Sequence, residues 1–290
     1  MAPVRFRDRK IDDKMHAERR GSTTWQVSME TSAAFAEKLR WWRHHRGLSQ
    51  LALAGRAEIS QRHLSFLELG RAAPSREMVD RLAVALAMPL RQHNEMLLAA
   101  GYAPQWRQRD LAAPDVTQVA GALDHMLAQQ APYPAIVVDR HWNLLRSNAG
   151  AVRLMEFLIG PLEPDAAINM ADALVSPHVL RQHLVNWTEV VRHFIRSVEA
   201  DAAADGLAGT AELLERLMRY GGVSEALGET ARSDGGAVLA MHFRKGGIDL
   251  RLFTAIATLG TPQDITLQEL RIEFFFPMDD ATAQTMRGWA

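Results

Sequence analysis

Apolar residues recur with a helical period over the first third of the chain and with a strand period in parts of the rest. Phe35, Leu39 and Trp42 stand at i, i+4 and i+7, one stripe of a helix that ends before Gly47. Ser49 and Ser60 each precede a short helical pattern, Gln50 to Ala57 and Gln61 to Leu69, and Gly70 closes the second. Ser75 opens a fourth helix with Val79, Leu82, Ala83 and Leu86 inward. Pro89 breaks it, and a fifth helix runs through Leu97 and Leu98 to Gly101.

After a linker rich in Pro, Gln and Arg the period changes. A helix from Val116 to Ala131 leads into two short strand-like runs, Ala135 to Asp139 and Asn143 to Ser147, which read as a hairpin turning at Arg140 and His141. Helical patterns follow, notably Pro177 to Glu199 and Ala211 to Tyr220. Three more strand-like segments close the chain: Ala237 to Arg244, Asp249 to Thr258 and Glu269 to Phe276. Two strands, a block of helices and three strands predict an α+β domain with an antiparallel sheet. The expected organisation is a multidomain chain: an arm over residues 1–32, an all-α five-helix domain over 33–103, a linker over 104–115 and the α+β domain over 116–290.

Charge sharpens this division. Eight bases stand against four acids from Phe35 to Glu77, a local balance of +4, whereas everything from Met78 onward carries −7 of a total net charge of −1. A basic front on an acidic rear favours a polyanion as the partner of the front. The 290 residues include no cysteine, which excludes disulfides, thiolate metal ligands and thiol nucleophiles together and fits a cytoplasmic setting. No apolar run is long enough to cross a bilayer, so no membrane partner is expected.

The stretch from Leu48 to Pro74 has the parts of a helix-turn-helix, two capped helices joined by a three-residue turn, with Leu51, Ala54, Ile59, Leu64 and Leu67 expected between them. That arrangement leaves Gln61, Arg62, Ser65 and Phe66 on the far side of the second helix. Gln pairs with adenine, Arg with guanine, and an apolar ring meets the thymine methyl. Arg43, Ser49, Gln50 and Arg71 lie where backbone phosphates would run, positions that orient a protein on double-stranded DNA without reading sequence, and Ser60, the cap of the second helix, is expected among the DNA-binding residues with them. From Phe35 to Tyr102 the chain closely resembles the Xre-type, lambda-repressor-like helix-turn-helix regulators, in the Ser49-Gln50 start, the Ile59-Ser60 turn, Leu67-Glu68 and the Gly70-Arg71 exit. It departs from them at Glu58, where such turns often carry glycine, and a side chain there must adopt a positive φ under strain.

In the rear domain, Tyr133 to Met155 and Leu252 to Pro277 resemble the ligand-binding domain of MmyB-like transcription regulators, over most of residues 116–285. The resemblance implies a PAS-like fold around a small ligand of fatty-acid character. Read from the residues, the expected cavity lies between a long helix carrying Leu184, Trp187, Val191 and Phe194 and strands carrying Met241, Phe243, Leu250, Leu252, Phe253, Phe274 and Phe276. Phe253 is out of phase with Leu250 and Leu252. Arg192, His193, Arg244 and Arg251 are the candidate partners of an acidic head group. Asn148 reads first as a helix cap, and Trp142 as a core or interface residue.

Nucleophile-elbow, zincin, phosphate-loop and dinucleotide fingerprints do not occur, so neither catalysis nor a cofactor is expected. The reading is a homodimeric regulator of transcription that responds to an apolar small molecule. Its alternative is a DNA-binding adaptor whose rear domain serves only dimerisation or docking.

Overall fold

In a computed structural model of the protein, residues 32–163, 166–228 and 237–289 are described. The expected arm, residues 1–32, lies outside the described residues except for Ser32. The chain divides into two compact units between Gln105 and Trp106.

Five helices build the first unit: α1 over residues 32–45, α2 Gln50–Arg56, α3 Gln61–Glu68, α4 Arg76–Ala85 and α5 Leu90–Ala99. The serines set three of the starts. Each accepts a hydrogen bond from a backbone N–H three residues on, Ser49 from Ala52, Ser60 from His63 and Ser75 from Met78, meeting one of the donors a helix N-terminus leaves open. Phe35, Leu39, Leu53, Leu64, Leu67, Val79, Leu82, Met96 and Leu97 are sealed in one core. Leu51, expected there, is 68% exposed. With Gln50 as the first helical residue, the inward positions of α2 are Leu53, Ala54 and Ala57 instead.

The second unit is a five-stranded antiparallel sheet of order β2-β1-β5-β4-β3, formed by β1 Ala135–Val138, β2 Leu144–Ser147, β3 Met241–Lys245, β4 Ile248–Ala257 and β5 Arg271–Pro277. Gly246 and Gly247, both at positive φ, make the two-residue turn between β3 and β4, a geometry that matches the twist of paired strands. Helix α6, Thr117–Gln129, covers one face of the sheet. On the other lie α7 Ala149–Ile159, α8 Met170–Val175, α9 Trp187–Asp205, α10 Ala208–Met218 and α11 Val223–Gly228. Helices α12 Ile265–Glu269 and α13 Asp280–Gly288, absent from the sequence reading, flank β5.

Because both faces are covered, β1 is buried at every position: Ala135 and Val137 pack toward Leu123 and Leu127 of α6, Ile136 and Val138 toward the helical block. Asn148 caps α7 and does more than that. Its amide oxygen accepts from Ala151 and Ala135 backbone N–H groups, and its amide nitrogen donates to the carbonyls of Leu127 and Tyr133. Three elements, α6, β1 and α7, and the connection between the first two are thus tied at one buried side chain. Gly150 follows it because a Cβ there would stand 2.4 Å from the Pro132 carbonyl oxygen.

The expected helix from Pro177 starts ten residues late. Arg181–His183 form only a 3-10 turn. The next residues extend, so that Leu184 bridges Phe243 and the Val185 N–H donates to the His242 carbonyl at 2.7 Å. The chain beside the sheet edge is thereby claimed for pairing rather than for α9.

Candidate DNA-contacting face and ligand cavity

On α3, Leu64 and Leu67 turn wholly inward, which places Gln61, Arg62, Ser65 and Phe66 together on the outer side. The Arg62 guanidinium lies over the Phe66 ring at 5.4 Å, so the charge and the apolar ring share this outer side. Arg71, just past Gly70, is exposed, as are Ser49 and Ser60 at the two helix starts. In the turn between α2 and α3, Glu58 adopts φ 54°, the strained conformation expected of it.

Arg43 corrects the sequence reading. Its side chain is buried and forks onto Glu68, Nε to Oε1 at 2.6 Å and Nη2 to Oε2 at 3.0 Å, while Nη1 donates to the Leu48 carbonyl. A guanidinium spent on these partners inside the fold is not offered to phosphate. Gln50 shares the anchor, donating to Glu68 Oε2 at 2.8 Å. Burial alone would raise the Glu68 carboxyl; the bonds from Arg43 and Gln50 outweigh it and hold the pKa below the ordinary carboxylate value.

The second unit encloses a cavity of about 430 Å³ between the sheet and the helical block. Its sheet wall is Ile136, Glu273, Phe275, Thr254, Ile256, Met241 and Phe243; its helical wall is Ala151, Leu154, Met155 and Leu158 of α7, Met170 and Leu174 of α8, and Val190, His193, Phe194 and Ser197 of α9. Trp142, from the β1–β2 turn, completes it edge-to-face on Phe194 at 4.8 Å. His193 and Ser197 are exposed, so they mark where the cavity meets solvent. The volume lies within the roughly 300–1,000 Å³ of small-molecule sites, and the walls are apolar with few polar groups, as such sites are.

Of the ten ligand-contact candidates, Phe194, Met241, Phe243 and His193 line this cavity and six do not. Leu184 and Val191 are sealed in the surrounding core. Trp187 is anchored elsewhere, its Nε1 donating to the Leu174 carbonyl and its ring 3.5 Å beneath the Arg181 guanidinium. Strand alternation sends Thr254 to the cavity and Phe253 to the opposite face, where it stacks on its cross-strand partner Phe276 at 5.2 Å. The same alternation puts Phe274 toward α6. Arg192 is buried and donates to the Ala226 carbonyl, and Arg244 pairs with Asp249 on the exposed side of the β3–β4 hairpin. Arg251 is exposed on the same hairpin.

Glu273 is the group that the sequence reading missed. It pairs with Ile136 on one side and Ile256 on the other, all three turned to the cavity. Burial pushes its carboxyl up to about 7, against the Thr254 hydrogen bond and the Arg271 charge, which lower it. Trp142 is unusual in two ways: it has φ 65°, and its indole N–H is buried without a partner among the described residues. The Asp139 carboxylate holds that turn by accepting from the backbone N–H groups of His141 and Asn143.

Comparison with known proteins bears on both units. The model of the MmyB-like transcription regulator ligand binding domain matches residues 119–288, and a helix-turn-helix domain model matches residues 34–96. No curated protein matches the chain. A solved structure described as an RNA-binding Light-Oxygen-Voltage receptor is similar over 97% of this chain and 70% of that one, at 11% identity and a TM-score of 0.29, too distant to inform either fold or function. Among the described residues no helix is long and apolar enough to cross a membrane.

Proposed function

Because the chain belongs to the MmyB-like transcription regulators through its ligand-binding domain, we propose that it is a cytoplasmic, homodimeric regulator whose DNA affinity responds to an acyl-chain ligand, a fatty acid or a close relative. Its two modules are a DNA-binding helix-turn-helix and a small-molecule-binding domain. In this reading α3 enters the major groove, with Gln61, Arg62, Ser65 and Phe66 toward base edges and Ser49, Gln50, Ser60 and Arg71 toward the backbone.

The observation that carries the ligand reading is the apolar cavity of about 430 Å³. Burying each methylene there is worth about 0.8 kcal/mol, so a chain of eight supplies about 6 kcal/mol before association costs. A charged head group stays at the solvent-facing side, beside His193 and Ser197, because burying it unpaired is prohibitive. The ligand then changes operator affinity by the difference between its affinities for the two states.

The test is calorimetric titration of the delipidated full-length protein with saturated fatty acids of eight to sixteen carbons, followed by operator binding with and without the tightest. Affinity rising with length to a maximum, with a shift in operator affinity, is expected. Negligible heats throughout, from folded protein that retained no lipid on purification, favour the adaptor reading. Sedimentation of the free protein and of its DNA complex tests the dimer, and a monomer in both overturns it.

A further inference from the structure

The wall of the apolar cavity holds an acid and no strong base. Among the described residues neither lysine nor arginine lines it, and its one carboxyl is that of Glu273. Thr254, turned to the cavity from the neighbouring strand, supports that carboxyl with a side-chain hydrogen bond. Arg271, on the same face of β5, is held by Asp201 of α9 at 2.6 Å.

Ion pairs along α9 locate Glu273 relative to the opening. Arg140 links Asp205 to Glu269, and Arg271 binds Asp201. Four helix residues advance about 6 Å and two strand residues about 7 Å, so α9 and β5 pass each other in step and in opposite directions. The next step sets Ser197 opposite Glu273. Both line the cavity, and Ser197 is exposed. Ile256, the cross-strand partner of Glu273, also lines it and is 52% exposed. Helix and sheet therefore agree that Glu273 stands on the open side, where His193 also lies.

We propose that the ligand of this cavity is a long-chain aliphatic amine, whose chain fills the apolar interior and whose ammonium group at the opening donates to the Glu273 carboxylate and the Ser197 hydroxyl. This rests on the chain-binding reading above and fixes the head group, with a cation where a fatty acid carries an anion. A ligand carboxylate in that place would meet Glu273 with no cation between them, and like charges repel more strongly there than in water. An ammonium has three donors and no acceptor, which suits a carboxylate, a hydroxyl and solvent together. At the opening it keeps part of its hydration, so the pair avoids the full desolvation that cancels the attraction of buried ions. Burial pushes the Glu273 pKa up to about 7, a shift that an ammonium at the carboxyl reverses.

The experiment is calorimetric titration of delipidated full-length protein at pH 8 with decylamine, decanoate and 1-decanol. Decylamine is expected to bind at least tenfold more tightly than decanoate, the worth of one hydrogen bond to a charged group. Glu273→Gln should weaken decylamine about tenfold and leave decanol within about twofold. Ser197→Lys, at an exposed position, brings a cation to the opening and should reverse the order of amine and acid, a readout that leaves Glu273 in place. Decanoate binding wild type as tightly as decylamine or more so, decanol alone binding, or an amine affinity that neither substitution alters, overturns the amine while leaving the chain-binding reading intact. Negligible heats with all three compounds overturn that reading and this proposal with it.

Discussion

Arg43 and Glu68 form a buried, two-pronged ion pair that joins α1 to the end of α3, with Nε and Nη2 at 2.6 and 3.0 Å from the two carboxylate oxygens. Removing one member strands the other charge inside the fold, at a cost of about 3–5 kcal/mol. Arg43→Ala is therefore expected to destabilise the helical unit, read as lost hydrogen-exchange protection over residues 35–101. The pair also sets an acid limit. The Glu68 pKa is depressed in the fold, so its stabilisation is present above the unfolded value of 4.5 and is lost as pH falls through the lower folded value. A folded Arg43→Ala protein with unchanged exchange, and a reduced salt slope of DNA binding, would return Arg43 to the phosphate role.

On the outer side of α3, Arg62→Ala is expected to cost about 1–3 kcal/mol at a cognate operator and relax base preference at one position. Arg71→Ala weakens all sequences alike and lowers the salt-dependence slope by about one. A selected-site binding assay over a salt series separates the two. Identical behaviour of both variants would dissolve the distinction between reading and positioning residues.

Glu58 holds φ 54° in the turn between α2 and α3, where the left-handed conformation costs an ordinary residue roughly 1–2 kcal/mol. Glu58→Gly is expected to offset part of that, raising the denaturation midpoint of the helical unit slightly with DNA affinity unchanged. A lower midpoint would mean that the exposed glutamate makes up its strain elsewhere.

Met241 lines the cavity from β3 and is half-buried, so Met241→Trp fills space at little cost to the fold. The chain length of the tightest ligand should drop by two to four carbons, and short chains should be affected least. Uniform weakening across the length series would place the chain elsewhere.

The Glu273 pKa is raised from 4.5 to about 7, which ties stability to pH with the opposite sign to Glu68. The stability it confers is fully present below pH 4.5 and is lost as pH rises through 7, a difference on the order of 3 kcal/mol. Arg271, on the same strand, is the charge that opposes this shift. Glu273→Gln in delipidated protein is expected to melt higher than wild type at pH 8 and no higher at pH 4.5. Parallel curves over that range would show that the carboxyl is solvated.

Much of the first unit was legible because its signals are local. Ser49, Ser60 and Ser75 fixed three helix starts, and 3.6-residue spacing chose Leu64 and Leu67 for the core. Arg43 was not legible, because its partner lies 25 residues away and a buried arginine has the same sequence signature as an exposed one. In the second unit the strands were found but their phase was not. Alternation specifies an inward face only when the other face is wet, and here α6 dries it, so Ile272, Phe274 and Phe275 are all apolar and only the glutamate among them is informative. A single acid inside RIEFFFP was the available sign of the cavity.

The strand that carries Ile136 into the cavity carries Val137 into the packing of α6, one residue apart. Close-packed layers move as blocks, so an occupant that displaces Ile136 by a fraction of an ångström displaces Leu123 and Leu127 by a similar amount. The sheet therefore works as a diaphragm: what presses on its inner surface is felt on its outer one. Helix α6 is the first α-helix after the division at Gln105. Ligand-dependent hydrogen exchange in residues 117–129, which touch no part of the cavity, is the diaphragm's signature.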